Sequence, residues 1–107
     1  MADLKEYHLD EEGFLEKPET WDPGFSEWLA ASEGVELTEA HRELILATRE
    51  FYDLYHFSPS MRPLIKFLAQ TLGDEKGRSI YLMKLFPGSP ARELSRYAGL
   101  HKPKNCL

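Results

Sequence analysis

The hydrophobic residues of this chain recur mostly at spacings of three and four, which is the period of amphipathic helices. Five such helices are predicted. Several begin with a capping residue or with proline in the first turn, and most end at glycine or before proline. The predicted helices cover residues 22–34, 38–56, 60–73, 79–86 and 89–99.

The predicted helix over residues 38–56 is the longest and is expected to form the centre of the core. Thr38 is its predicted N-cap, and Glu39 places negative charge at the positive end of the helix dipole. Its apolar face also includes Thr48. The apolar residues expected on that face are Leu44, Ile45, Phe51, Tyr52 and Tyr55.

The first fifteen residues have a different pattern. Apolar and polar residues alternate loosely on both sides of the turn-forming segment 10–13, which predicts a short β-hairpin over residues 4–15. Two strands alone are marginally stable, so the hairpin is expected to pack on the helices. The predicted fold is therefore α+β, with a small N-terminal β-hairpin or meander packed on a bundle of about five helices and a flexible C-terminal arm.

The length of 107 residues is enough for one compact domain and too short for two. Residues 1–99 are expected to form that domain. Residues 100–107 contain two lysines and a proline and show no periodicity, so they are predicted to form a mobile C-terminal arm. This arm contains Cys106, the only cysteine of the chain.

The charges are distributed unevenly along the chain. The formal net charge is −5, with −11 on the first 58 residues and +6 on the remaining ones. This asymmetry fits either two partner-facing surfaces of opposite sign or an acidic face that offsets a basic one within the fold. The amino-terminal segment is acidic, unlike a signal peptide, and no apolar run approaches the roughly 20 residues that span a bilayer. A cytoplasmic protein with no membrane segment is expected.

The surroundings of Cys106 favour an exposed thiol. A single cysteine cannot form an intramolecular disulfide, and no apolar periodicity around it predicts burial. Lys102 and Lys104 favour the thiolate, whereas the carboxylate at the end of the chain opposes this effect. An arm extended from Gly99 would carry the thiol roughly 23 Å, at about 3.3 Å per residue. That reach is enough to enter the active site of a partner.

The sequence lacks the usual motifs of an autonomous enzyme. It contains no phosphate-binding glycine loop, no HExxH and no CxxC, and its histidines do not have metal-ligand spacing. Neither a metal nor a cofactor is expected. A thiolate can attack a sulfane sulfur and hold it as a persulfide, but without a base or cofactor it can only pass that sulfur on. This chemistry indicates a persulfide carrier, a sulfurtransferase that works within a relay of several proteins.

Segments along nearly the whole chain resemble the family of DsrC and TusE proteins. They are residues 10–15, 37–39, 49–52, 85–91 and the ending AGLHKPKNCL at residues 98–107. The ending is the most specific segment, because family members typically finish in a sequence like AGLPKPTGC plus one residue. Here His101 replaces the usual proline, Lys104 and Asn105 replace a smaller pair, and the penultimate cysteine is retained.

The resemblance implies an α+β fold with a β-meander, a helical bundle and a mobile arm, and it offers two functional branches. DsrC, a partner of dissimilatory sulfite reductase, uses a second cysteine eleven residues before the terminal one. That position is Ser95 here, and a serine cannot resolve a persulfide. TusE, with one cysteine, accepts sulfur from the TusBCD complex and delivers it to the MnmA thiouridylase, which thiolates the wobble uridine of certain tRNAs.

The single cysteine therefore favours the TusE branch, with a TusBCD-like donor, an MnmA-like acceptor and only indirect contact with tRNA. Cys106 is the residue that would carry the sulfur. The alternative within the family is a DsrC-like partner in dissimilatory sulfur metabolism that lacks the second cysteine.

The basic residues near the arm suggest a docking site. Arg92 and Arg96 lie four apart on the last predicted helix, and with Lys102 and Lys104 they form a basic collar that would meet an acidic partner or the phosphates of tRNA. Simple solvent exposure of these four residues is the other interpretation.

A different class of function is a helix-turn-helix regulator that binds nucleic acid through residues 60–73 and 79–86. The second of these segments is mostly apolar, whereas a recognition helix presents several polar or basic side chains to base edges. An inert assembly subunit is a third interpretation.

Overall fold

The computed structural model describes residues 7–104 and contains five α-helices within that range. They are α1 (Pro23–Glu33), α2 (Glu39–Tyr55), α3 (Met61–Leu72), α4 (Ser79–Leu85) and α5 (Pro90–Tyr97). Two short 3₁₀ turns, Pro18–Thr20 and Asp74–Gly77, precede α1 and α4. The five helices predicted from the hydrophobic pattern are confirmed to within one or two residues at their ends.

Local capping explains where the first two helices begin. Asp22 accepts a hydrogen bond from the backbone N–H of Phe25 at 2.9 Å, and Pro23 occupies the first turn of α1. At the start of α2, the imidazole of His41 takes the part that Glu or Gln usually has in a capping box. Its Nδ1 accepts from the backbone N–H of Thr38 at 3.1 Å, and its Nε2 donates to the carbonyl of Leu85 at 3.0 Å. This histidine therefore connects the start of α2 to the end of α4.

The prediction of an N-terminal β-hairpin, and with it the α+β class, is wrong. Residues 7–104 contain no β-strand, and the backbone near the start forms one isolated antiparallel bridge between Leu9 and Leu15. The turn itself is present, because Asp10 Oδ1 accepts from the backbone N–H groups of Glu12 and Phe14, both at 2.9 Å. Pro18 then begins a 3₁₀ turn three residues after the bridge, so the extended pairing ends before a ladder forms. The described part of the fold is helical.

The core is built around α2, which packs against α3 and α5, while α1 packs against α5. Residues from all five helices are fully buried there, including Phe25, Leu44, Leu64, Leu82 and Leu94. Tyr55, expected on the buried face of α2, is instead 53% exposed. It lies in the last turn of the helix, where its ring centre is 4.7 Å from that of Phe51.

The two oppositely charged halves of the chain meet within the fold. Within residues 7–104, three ion pairs join them: Arg96 with Glu33, Lys76 with Glu43, and Lys102 with Glu12. This arrangement fits the interpretation in which the acidic part of the chain offsets the basic part. Among the described residues, no helix has both the length and the apolar character needed to cross a bilayer.

Candidate functional site

Cys106, the predicted sulfur carrier, lies outside the described residues. The structure describes the chain up to Lys104, so the site is defined here by the segment that precedes the cysteine. Residues 100–104 are called the tail root. Their contacts fix the position of the chain immediately before the undescribed residues 105–107.

The tail root packs on the domain. Leu100 is fully buried, and its backbone N–H donates to the carbonyl of Ser95 at 2.9 Å. His101 Nε2 donates to the carbonyl of Glu16 at 3.0 Å, and the hydroxyl of Ser58 donates to the carbonyl of His101. Pro103 is also buried. The boundary of the mobile arm at residue 100 stays a prediction, although residues 100–103 make these contacts with residues of the domain.

Trp21 and Ser26 hold the backbone from which the tail root leaves α5. The indole Nε1 of Trp21 and the hydroxyl of Ser26 both donate to the carbonyl of Tyr97, at 3.1 and 2.7 Å. Gly99, with φ +70°, lies against Trp21, and a Cβ on this glycine would come within 2.5 Å of the indole. Sequence reasoning assigned no role to Trp21, because it lies between the predicted hairpin and the first predicted helix and belongs to the periodic pattern of neither.

Arg49 connects the same corner from the side of α2. Its Nη1 donates to the carbonyls of Pro18 and Ala98 at 2.9 and 3.1 Å, and its guanidinium lies 4.8 Å from the centre of the Trp21 ring. Burial lowers the pKa of Arg49 from the ordinary arginine value. The available sequence signal for Arg49 was its place in the middle of α2, a helix that packs on both sides. A half-buried arginine in such a place needs several hydrogen-bond acceptors.

Lys102 and Lys104 of the predicted basic collar lie together at a groove of about 520 Å³, called the basic groove. Its lining residues are Tyr52, His56, Phe57, Ser58, Ser60, His101, Lys102 and Lys104. Both lysines are exposed, and Lys102 Nζ also contacts a carboxylate oxygen of Glu12 at 2.8 Å. Positive charge is therefore concentrated where the chain leads towards Cys106.

Arg92 and Arg96 do not line this groove. Arg96 is 12% exposed and pairs with Glu33 and Glu93 at 2.6 and 2.9 Å. Arg92 lies over the ring of Phe14, 5.3 Å from its centre, and contacts Glu93 at 3.3 Å. Their predicted part in docking stays a prediction, and the structure gives both arginines partners within the domain.

Ser95 occupies a fully buried position on α5, eleven residues before Cys106. Its hydroxyl has no hydrogen-bond partner, and it is the one such buried side-chain atom among residues 7–104. A hydroxyl left unpaired in this way costs free energy, whereas a less polar group of similar size would not. The site around Ser95 therefore suits a weakly polar side chain better than it suits serine.

Comparison with known proteins places these features in a family. The model of the DsrC-like protein family matches residues 1–107. The sulfurtransferase TusE of Salmonella typhimurium is 42% identical over 103 residues, covering 96% of this chain and 94% of that protein. A sulfurtransferase TusE homolog of Haemophilus influenzae is 42% identical over 102 residues, covering 95% and 94%.

Solved structures give the same result for the fold. The NMR structure of Allochromatium vinosum DsrC superposes with a TM-score of 0.87 at 42% identity, over 99% of this chain and 95% of that one. The crystal structure of the oxidized gamma-subunit of dissimilatory sulfite reductase (DsrC) from Archaeoglobus fulgidus gives 0.80 at 36% identity, over 96% and 94%. With a family model that matches from end to end and relatives above 40% identity, this chain belongs to the DsrC-like protein family.

Proposed function

We propose that this protein is a sulfur-relay protein that accepts persulfide sulfur on Cys106 and passes it to an acceptor enzyme. The observation that carries the proposal is the near full-length match to sulfurtransferases named TusE, in a chain that has a single cysteine two residues after the tail root. The composition of the tail root supports it, because Lys102 and Lys104 precede Cys106 by four and two residues and positive charge close in sequence favours an anionic sulfur.

The transfer requires no oxidant. The Cys106 thiolate attacks the terminal sulfur of a persulfide on the donor, so a new S–S bond forms and the S–S bond of the donor breaks. The donor cysteine leaves as a thiolate and takes up a proton from solvent. A thiolate of the acceptor then attacks the terminal sulfur of the Cys106 persulfide. A new S–S bond forms on the acceptor, the S–S bond on Cys106 breaks, and the free thiol of Cys106 is regenerated.

The pathway we propose is formation of 2-thiouridine in tRNA, with a TusBCD-like donor, an MnmA-like acceptor and a cytoplasmic location. Ser95 supports this branch over the DsrC cycle that uses two cysteines, because a hydroxyl cannot form a disulfide with Cys106. In this proposal tRNA is met through the acceptor, and the protein binds no cofactor.

The helix-turn-helix alternative has less support. In α4 the side chain of Leu82 is fully buried, and Ile80 and Met83 are exposed but apolar. Lys84 is the only basic residue within that helix. A surface of this composition offers few groups that read base edges.

Mass spectrometry tests the proposal directly. After incubation with a cysteine desulfurase, cysteine and the TusBCD-like donor, Cys106 should gain about 32 Da, the mass of one sulfur atom. The adduct should disappear with dithiothreitol and should be absent in Cys106→Ser, which is the matched control. An unmodified wild-type thiol under conditions that load an authentic TusE would contradict the proposal.

A further inference from the structure

An aromatic groove of about 360 Å³ lies at the carboxyl end of α2, next to the basic groove. Its lining residues are Phe51, Tyr55, Phe57, Pro63, Lys66, Phe67 and Gln70. The four rings are already packed together, since Phe51 has its ring centre 4.7 to 5.4 Å from those of Tyr55, Phe57 and Phe67. The groove is thus preformed in the free protein, so a ligand that enters it pays little ordering cost.

The exposure of these rings is unusual for a residue class that normally contributes to cores. Tyr55 and Phe57 are each 53% exposed, and the neighbouring Leu54 is 61% exposed. Contiguous exposed apolar side chains next to polar ones mark interaction surfaces, and aromatic residues are enriched at the centres of protein interfaces. This surface is therefore suited to contact with another protein.

The charged side chains that line the two grooves are all basic, and one of them, Lys102, is paired with Glu12 outside the lining. Lys66 lines the aromatic groove, while Lys102, Lys104 and the histidines His56 and His101 line the basic groove. None of the described residues that line either groove is acidic. On α2, Asp53 lies on the side of Arg49, about 200° around the helix axis from Phe51 and Tyr55. A partner with carboxylates beside an apolar side chain is the electrostatic complement of this surface.

The position of the tail root joins this surface to the sulfur chemistry. Pro103 is buried, and Cys106 follows three positions later, so covalent geometry limits the distance between their Cα atoms to about 11 Å. A protein that reaches the thiol while residues 100–103 stay packed must therefore come close to the domain surface. Phe57 lines both grooves, so the surface next to the tail root continues into the aromatic groove.

We propose that the aromatic groove docks the protein that exchanges sulfur with Cys106, by taking up an apolar side chain that is flanked by carboxylates. The inference rests on the proposed relay function and adds the docking surface to it. Concave packing of the rings suits the insertion of a side chain, and the exposed Leu54 is no stacking partner for a base. A second copy of the chain would bring like charges together. Because donor and acceptor must both reach the same short tail, they bind in competition.

Binding of the TusBCD-like donor is measured by calorimetry in a Cys106→Ser background, which blocks the chemistry. The double variant Tyr55→Ser/Phe57→Ser is expected to bind at least tenfold more weakly, because buried aromatic side chains are among the residues that contribute most to binding at interfaces. The matched control is Ile80→Ser/Met83→Ser, whose side chains are 68% and 44% exposed and line neither groove. It should bind like the parent. Unchanged binding of the Tyr55/Phe57 variant, or an equal loss in the control, would overturn the inference.

Two charge-reversal variants test the rim of the aromatic groove without changing the aromatic packing. Lys66→Glu should weaken donor binding severalfold, whereas Lys84→Glu, an exposed lysine of α4, should not. Because Lys66 is exposed, this variant keeps the test valid if removal of two rings impairs folding. Equal binding of Lys66→Glu and Lys84→Glu would count against the inference. The inference would also be contradicted if Lys66→Glu lost binding to tRNA, or lost a dimer, while its binding to the donor was unchanged.

The two proposals fail differently. Labelling of Cys106 by inorganic polysulfide, which needs no docking, should be equal in the wild type and in the Tyr55/Phe57 variant. If that variant takes sulfur from the donor with the half-saturating concentration of the wild type, the relay stands and the docking surface is wrong. If it loses donor binding while the wild type binds the donor but never gains sulfur, the surface stands and the relay is wrong.

Discussion

Arg96 on α5 and Glu33 at the end of α1 are 63 residues apart, and Nη2 of the arginine lies 2.7 and 2.6 Å from the two carboxylate oxygens. Tyr97 donates to the same carboxylate at 2.8 Å. Burial is the largest single effect and lowers the pKa of Arg96. The hydrogen bonds with Glu33 and Glu93 together raise this pKa by more than burial lowers it, so the net shift is upward. This contact ties the first helix to the last one.

The first prediction separates the structural from the docking role of the two arginines. Arg96→Ala should lower the free energy of unfolding by about 2 kcal/mol, because two carboxylates lose a largely buried partner. Arg92→Ala should lower it by less than about 1 kcal/mol, since that pair is longer and more exposed. Urea unfolding followed by circular dichroism measures both. Equal losses would show that Arg96 has no special part in holding α1 and α5 together.

A second prediction concerns the unpaired hydroxyl of Ser95. Ser95→Ala should stabilise the protein by about 1 kcal/mol, because it removes a buried polar atom without a partner and favours the helix. Ser26→Ala is the matched control, since that hydroxyl is buried but bonded to the carbonyl of Tyr97 at 2.7 Å. It should destabilise by about 1 kcal/mol. A loss of stability in Ser95→Ala would mean that this hydroxyl has a partner in solution.

A third prediction addresses the glycine at the start of the tail. Gly99→Ala should destabilise by more than about 2 kcal/mol, because its φ of +70° disfavours a side chain and the new Cβ would overlap Trp21. Gly34→Ala is the matched control, because Gly34 has nearly the same left-handed backbone angle, φ +69°, but open space around it. It should cost only about 1 kcal/mol. Thermal unfolding measures both changes, and tryptophan fluorescence should shift in Gly99→Ala alone.

A fourth prediction follows from the buried phenol of Tyr97. Burial, and then the hydrogen bond to Glu33, raise the pKa of Tyr97 above its ordinary value of 10.0. The folded state therefore binds this proton more tightly than the unfolded state. Its contribution to stability is fully present below about pH 10 and is lost as the pH rises further.

Tyr97→Phe should accordingly be less stable than the wild type at about pH 8, with the difference shrinking above about pH 10. Urea unfolding across this range measures the effect. Tyr55→Phe, which alters an exposed ring, should follow the wild-type profile at every pH. Parallel profiles for Tyr97→Phe and the wild type would contradict the prediction.

The sequence by itself determined the helices. Their starts and ends depend on neighbouring residues, such as Asp22 with Pro23 in α1 and Thr38 in α2, and local chemistry of this kind is legible in one dimension. It also determined that any thiol chemistry must use Cys106, because no other cysteine exists. The β-hairpin failed as a prediction because the turn at Asp10 is local, whereas a ladder needs continued pairing on both sides of it.

The tertiary structure alone decided which residues surround the path to the cysteine. The apolar spacing placed Tyr55 on the buried face of α2, but burial depends on how far the neighbouring helices extend, and they leave its ring half exposed. Spacing along the chain also grouped Arg92 and Arg96 with the lysines of the tail. In the folded protein, however, Arg96 forms an ion pair with Glu33. Contacts across 63 residues depend on how helices pack, and periodicity along one helix carries no information about its partner.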